Sequence, residues 1–305
     1  VYIVLFLTFS AASFFLPTRL SVIPNLVEKK DLLLANSACA ITWVISGIAG
    51  FSLGGVLAES IGIQKSLYLN SAIYLLSAAS FSFVFFSRGP KPPRRKSFFH
   101  DLMTGLRKLF LEKKMRFVVG AFFIFSSMIG ACYTVLIVFI QETLKTMTKY
   151  VGMLSVCIFV GCLIGSFVFG KIGKKIPRVK AVFLSLCLTG LSMIIFVVGL
   201  KTTGSVELGG IFIFLVGFFL SPAYVTANTI VHETIDGNLR GRIFSSLGIV
   251  MNLGFLTFML LSSFLAEFMD GFWILIACAA GFALFGLINL LVIPAGYLED
   301  ITSSS

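Results

Sequence analysis

The stretch Phe117–Gln141, FVVGAFFIFSSMIGACYTVLIVFIQ, contains no charged residue and is long enough to cross a lipid bilayer as a single helix. Eight more uncharged runs of similar length occur along the 305-residue chain. A spanning helix needs about 20 predominantly apolar residues, so the pattern predicts an all-α, polytopic membrane protein with nine transmembrane helices. The other runs are Val1–Thr18, Leu32–Ala58, Ser66–Ser87, Tyr150–Gly170, Ala181–Leu200, Leu208–His232, Ile243–Ala266 and Gly271–Leu298.

The composition supports this interpretation and excludes a soluble globular protein. Hydrophobic residues make up 58% of the chain and charged residues 12%. Soluble domains contain roughly 45–50% apolar and about 25% charged residues. The six cysteines lie in apolar stretches and the two histidines are far apart, so no metal site and no cofactor are expected. The chain also lacks the glycine-rich loop that binds nucleotide phosphates, and no enzyme activity is predicted.

Lys and Arg residues are distributed unevenly between alternate loops. When Arg88–Arg116 is assigned to the cytoplasm, 20 of the 24 Lys and Arg residues lie in cytoplasmic loops. The positive-inside rule then predicts a multi-pass protein of the inner (plasma) membrane with a cytoplasmic C-terminus. The same rule accounts for the net charge of +11 without a nucleic-acid partner.

The basic segment Arg88–Arg116 has two parts. Gly89–Lys96 is rich in proline and is predicted to be an extended linker. Apolar residues then recur at helical spacing from Phe99 to Phe110, among Lys and Arg residues. This pattern predicts an amphipathic helix on the inner surface of the bilayer, where anionic lipids attract it.

A short repeat relates two parts of the chain that are six predicted spans apart. Leu57-Ala58-Glu59 ends the second span, and Leu265-Ala266-Glu267 ends the eighth in the same orientation. Parallel repeats of this kind are related by an axis along the membrane normal. The repeat predicts a plan of twelve spans, of which nine are present and three would precede residue 1.

Three connecting segments carry a resemblance to a known family. They are Pro17-Thr18-Arg19 with Ile23-Pro24, Phe99-His100-Asp101-Leu102, and Leu239-Arg240-Gly241-Arg242. They resemble the Major Facilitator Superfamily, and within it the branch containing enterobactin and macrolide exporters. The resemblance implies three parts: residues 1–87 as the second triplet of the N-terminal half, 88–116 as the central linker, and 117–305 as the six-helix C-terminal half.

Small residues recur on several predicted helices. Gly50-Phe51-Ser52-Leu53-Gly54-Gly55 resembles the antiporter signature of the superfamily, with Phe51 in place of its proline. The resemblance implies a pliable helix contact that closes a gate, and plain tight packing is the alternative. The acids Glu59 and Glu267 are placed at the outer mouth. The full set of predicted packing or gating residues is Ser46, Gly50, Gly54, Gly55, Gly161, Gly165, Ser262 and Ser263.

The resemblance also implies that the first, fourth and seventh spans line a central substrate cavity. The alternative for each residue is a lipid-facing or packing role. The candidates are Thr8, Ser10, Phe122, Ser126, Tyr133, Thr134, Phe219, Tyr224, Thr226 and Asn228.

The function implied is secondary transport, with export of a small amphipathic or apolar compound by alternating access. A monomer is expected, and protons are a possible coupling ion. No run contains a charged residue, so any proton site is expected outside these spans. The alternatives are a lysophospholipid or other lipid carrier, and a truncated remnant that transports nothing.

Overall fold

The computed structural model describes residues 32–83, 113–145, 149–173, 176–234 and 240–292, with isolated positions within 3–11 and 103–111. All regular structure in these ranges is helical, as the sequence predicts. The helices are α1 Leu32–Ser60, α2 Ile63–Ser82, α3 Lys113–Leu144, α4 Lys149–Ile172, α5 Arg178–Thr203, α6 Val206–Thr234, α7 Arg240–Leu265 and α8 Gly271–Val292.

Six of the described helices are long and apolar enough to cross a membrane, and these are α3 to α8. Helix α2 is not among them: Gln64, Lys65 and Asn70 lower the apolarity of its 20 residues, and the end of the predicted run, residues 84–87, lies outside the described residues. In α1 the segment Ile45–Ser60 is apolar, and most side chains before it lie outside the described residues. The first predicted run, Val1–Thr18, lies mostly outside the described residues. Six of the nine predicted spans therefore match described helices of sufficient length and apolarity, and the other three stay predictions.

The chain divides into two compact units. The first comprises residues 1–50 and 61–94, and the second comprises residues 51–60 and 95–305. The last ten residues of α1, Phe51–Ser60, therefore belong to the second unit, together with α3 to α8. In the linker, the described positions Met103, Arg107 and Leu111 are helical and exposed.

Helices of the second unit pair through glycines that both partners contribute. A side chain at Gly161 of α4 would overlap the carbonyl oxygen of Phe214 in α6, and one at Gly217 of α6 would overlap that of Ile158 in α4. In a bilayer, apolar side chains gain little by leaving lipid for protein, so helices associate where small residues let their backbones approach. These glycines hold α4 against α6.

The same arrangement recurs in the other two pairs. Gly130 of α3 lies against Phe255 of α7, and a Cβ on Gly254 of α7 would stand 2.7 Å from the Ser127 hydroxyl of α3. In the third pair, α5 and α8, a Cβ on Gly286 would lie 2.6 Å from the Phe183 carbonyl oxygen. Each crossing therefore brings two backbones closer than larger residues would permit.

Helix α5 lies at the centre of the unit. Two-thirds of its spanning segment is buried, more than in any other described span. It packs against both α6 and α8. Phe196, Val197 and Leu200 are fully buried. The helix ends at Gly204, whose backbone adopts the left-handed conformation (φ 61°) that glycine favours and donates an N–H to Leu200.

Polar contacts fasten the end of α5 to the start of α8. The Asp270 carboxylate accepts a hydrogen bond from the Phe272 N–H at 2.8 Å, which caps α8. The Lys201 ammonium pairs with Asp270 at 3.3 Å and stands 4.0 Å above the Phe272 ring centroid. The Phe272 N–H, and then Lys201, lower the pKa of Asp270 below its usual range, so this carboxylate stays ionised.

We predict that Gly161→Leu destabilises the bundle by about 1–3 kcal/mol, because the new side chain forces α4 and α6 apart. The matched control is Gly170→Leu on the same helix, since none of the residues that the structure describes lies within 4 Å of a Cβ at Gly170. Thermal unfolding of the purified protein in detergent measures the difference. Equal melting temperatures for the two variants would contradict the packing argument.

Candidate functional site: the α3 and α6 faces and a break in α6

Aromatic residues from α3 and α6 form a cluster inside the second unit. The Phe122 ring meets Tyr224 edge-on at 6.1 Å between centroids, and Phe125 meets Tyr224 at the same separation. The cluster borders a void of about 10 Å³, roughly the smallest space that holds one water molecule. Phe122 is only 2% exposed. It therefore packs inside the bundle, which favours the packing alternative over an open cavity wall.

The other candidate cavity residues divide by exposure. Ser126 and Thr226 are buried, whereas Tyr133 and Tyr224 are about half exposed. Tyr133 packs against the Phe255 ring of α7 at 5.6 Å. The remaining candidates in the second unit are Thr134 and Phe219, which are partly buried, and Asn228, whose side chain lies outside the described residues.

Thr8 and Ser10 belong to the first unit. Both lie at helical positions, Thr8 exposed and Ser10 partly buried. The cavity grouping implied by the family resemblance therefore stays a prediction for these two residues.

Two hydroxyl groups stand out by burial. Ser127 Oγ and Thr226 Oγ1 are buried and have no hydrogen-bond partner in the described part of the chain. A buried polar group without a partner costs about 1–3 kcal/mol. Sequence reasoning selected Thr226 but missed Ser127, because the sequence of an apolar run does not show which of its hydroxyl groups are buried without a hydrogen-bond partner.

Helix α6 continues through Pro222. Proline has no N–H, so the Phe218 carbonyl loses its regular helical donor, and the Ser221 hydroxyl approaches that carbonyl at 3.4 Å instead. One residue further on, the Ser185 hydroxyl of α5 donates to the Phe219 carbonyl and accepts the Ala223 N–H at 3.1 Å. These two backbone groups would pair directly in a regular turn. A hydroxyl from α5 therefore bridges the turn of α6 that contains Pro222.

We predict that Ser185→Ala lowers the free energy of unfolding by about 1–3 kcal/mol, because it leaves buried backbone groups of α6 without their bridging partner. Ser192→Ala is the control. Ser192 is also buried in α5, but its hydroxyl donates only within its own helix, to Thr189 at 2.9 Å. Thermal unfolding in detergent compares them, and an equal effect of both changes would refute the bridging role.

The predicted small-residue face of α1 makes its contact at Gly55. No described residue lies within 4 Å of a Cβ built at Gly50 or Gly54, whereas Gly55 is buried. Its neighbour is Gly152 of α4, where a Cβ would lie 2.5 Å from the Phe51 carbonyl oxygen and 3.7 Å from Gly55 Cα. Sequence reasoning missed Gly152. The second half of α1 therefore contacts the start of α4 through a pair of glycines.

Two further contacts strengthen this junction. The Phe51 ring, at the position of the signature proline, lies 5.4 Å from the Phe159 ring. The Glu59 carboxylate accepts the Lys149 N–H at 2.8 Å, which satisfies a free donor at the start of α4. Glu59 therefore caps a helix at this end of the second unit.

The remaining predicted gating residues, and the predicted outer-mouth acid Glu267, differ in their exposure. Glu267 is exposed in the turn after α7, and Ser46 is exposed on α1. Ser262 is buried, with its hydroxyl bonded to the Met259 carbonyl of its own helix at 3.0 Å, and Ser263 is partly buried. Gly161 and Gly165 face α6, and a Cβ at Gly165 would stand 2.6 Å from Ser221 Oγ. The face of α4 formed by Gly161 and Gly165 thus lies directly beside the turn of α6 that contains Pro222.

Metal chemistry has no support in the ranges that the structure covers. Among those residues, no three His, Cys, Asp or Glu side chains are grouped so that they could hold an ion. Chemically, the arrangement offers hydroxyl hydrogen bonds, aromatic faces and close helix contacts.

Comparison with known proteins establishes the family. The profile of the Major Facilitator Superfamily matches residues 1–147 and 118–304. The chain belongs to this superfamily of membrane transporters and is a multi-pass membrane protein.

Two proteins of Bacillus subtilis (strain 168) are similar to it. "Putative bacilysin exporter BacE" is 25% identical over 288 residues, which is 90% of this chain and 68% of that protein. "Uncharacterized MFS-type transporter YjbB" is 23% identical over 194 residues, which is 60% of this chain and 46% of that protein.

Proposed function

We propose that this member of the superfamily is a secondary exporter of a small amphipathic compound, which it moves by alternating access. The observation that carries the proposal is the match to BacE, which extends over 90% of the chain. The glycine contact between the second half of α1 and α4 supports it, because close and smooth helix surfaces allow one element to shift against another.

The proposed roles of individual residues follow from the contacts. Gly55 and Gly152 form the gate-like junction, which Glu59 fastens at the start of α4. Hydroxyls and aromatic rings of α3 and α6, apart from the buried Phe122, supply the cavity surface of the C-terminal half, residues 117–305. Tyr133 and Tyr224 fit this role best, since each is about half exposed.

Coupling and surroundings complete the proposal. The mid-depth parts of the predicted spans contain no charged residue, so proton coupling would require an ionisable group elsewhere in the protein. The protein acts as a monomer in the inner (plasma) membrane, and the basic segment 88–116 contacts anionic lipids at the cytoplasmic face.

We expect cells that express the protein to accumulate less bacilysin, or less of a fluorescent amphiphilic dye, than cells without it. Gly152→Leu should abolish this difference, because its side chain would strike the Phe51 backbone. Gly54→Leu is the control and should retain export, since its Cβ meets no residue of the described ranges within 4 Å. Both variants are checked for membrane insertion by immunoblot. Equal accumulation with and without the protein, for every compound tried, would overturn the export proposal.

The charge distribution predicts that Lys201 faces outward and Lys171 faces inward. Single cysteines at these positions, on a background without the six native cysteines, test the orientation with a thiol reagent that cannot cross the membrane. We expect labelling of position 201 in intact cells and of position 171 only after permeabilisation. Labelling of position 171 from outside would reverse the proposed orientation.

A further inference from the structure

A groove of about 380 Å³ runs between the first halves of α4 and α6. Met153, Cys157 and Val160 line it from α4, and Gly210 and Phe214 line it from α6. Its surface is apolar except at one end, where Glu207 stands in the first turn of α6. The groove lies wholly within the second unit and is separate from the aromatic cluster of α3 and α6.

The helices are packed less tightly beside this groove than further along. Gly161 and Gly217 bring α4 and α6 into backbone contact. At Gly210 a Cβ would meet α4 only at the Cys157 sulfur, in ordinary contact at 3.4 Å. The open volume falls within the roughly 300–1,000 Å³ of small-molecule sites.

The Glu207 carboxylate is held in place at the mouth of the groove. It accepts a hydrogen bond from the Ser205 hydroxyl at 2.7 Å, and the Ser205 hydroxyl oxygen in turn accepts the Leu208 N–H at 3.3 Å. A helix N-terminus favours negative charge, so the position stabilises the ionised carboxylate. The nearby Lys201 is bound to Asp270 instead. Among the described residues, no ion pair to Glu207 is formed.

We propose that this groove binds the apolar body of a small amphiphilic monocation, whose positive group pairs with Glu207. One carboxylate at the end of an otherwise apolar surface suits one positive charge on an apolar body. A phospholipid suits it less, because the lipid phosphate would be brought beside the Glu207 carboxylate. The assignment deepens the proposed export function by naming a substrate class. Transport of this class rests on the proposed export function, whereas binding in the groove does not.

The test measures binding of radiolabelled tetraphenylphosphonium to the purified full chain in detergent. We expect saturable binding that Glu207→Gln weakens roughly fivefold, the upper range for an exposed ion pair. Glu267→Gln is the matched control and should bind normally, because Glu267 is an exposed acid that does not line the groove.

Occupation of the groove is tested separately. Gly210→Leu and Cys157→Phe each fill the space with a side chain, and both should abolish binding. Gly170→Leu, on an open stretch of α4, should leave it unchanged. A lowered melting temperature identifies a groove variant that is misfolded. In that case, binding to the other groove variant tests whether the probe occupies the groove.

Three outcomes overturn the proposal: no saturable binding to the wild-type protein, unchanged binding in Glu207→Gln, or displacement of the probe by lysophosphatidylethanolamine at lower concentrations than by benzyltrimethylammonium. The last result would assign the groove to lipid. Binding that depends on Glu207 without export in cells would refute the export proposal alone. Export that is indifferent to Glu207→Gln would refute the groove as the site of the exported compound and leave export standing.

Discussion

Close approach of helix backbones is the constraint on which the second unit depends. A bilayer supplies little hydrophobic force between helices, so dispersion contacts across short distances must hold them together. The three pairs α3 with α7, α4 with α6, and α5 with α8 each meet this need with glycines on both partners. Since α5 packs against both α6 and α8, two of the pairs are joined through one central, largely buried helix.

The same residue type makes different contacts at different depths. Gly161 and Gly217 bring the backbones of α4 and α6 together, whereas Gly210, nearer the start of α6, lines a groove and would meet α4 only at the Cys157 sulfur. At the junction with α1, Gly55 makes the contact with Gly152, while no described residue lies within 4 Å of a Cβ at the adjacent Gly54. A glycine therefore acquires its role from its facing neighbour, and the motif alone does not define that role.

This dependence sets how much the sequence could reveal. Helices α3 to α8 were predictable, because long uncharged runs are a local signal of a span. The run Ser66–Ser87 stays a prediction, because its last residues lie outside the described part of the chain. The glycine face of Gly161 and Gly165 was also predictable, but its partner α6 was not. Likewise, the bridge from Ser185 to Phe219 and Ala223 joins residues 34 and 38 positions apart, a separation at which no local pattern operates.

The position of that bridge bears on how the unit can move. A proline removes one backbone hydrogen bond from α6, and such breaks are where helices bend. Here a hydroxyl from the most buried helix bonds to the neighbouring backbone groups, while Gly165 packs closely against the Phe218 and Ser221 turn. The turn at Pro222 therefore keeps hydrogen bonds within the bundle, and α4 approaches it through a residue that has no side chain. A bend at Pro222 would displace the end of α6 that carries Tyr224 and Thr226, with α5 as the fixed reference.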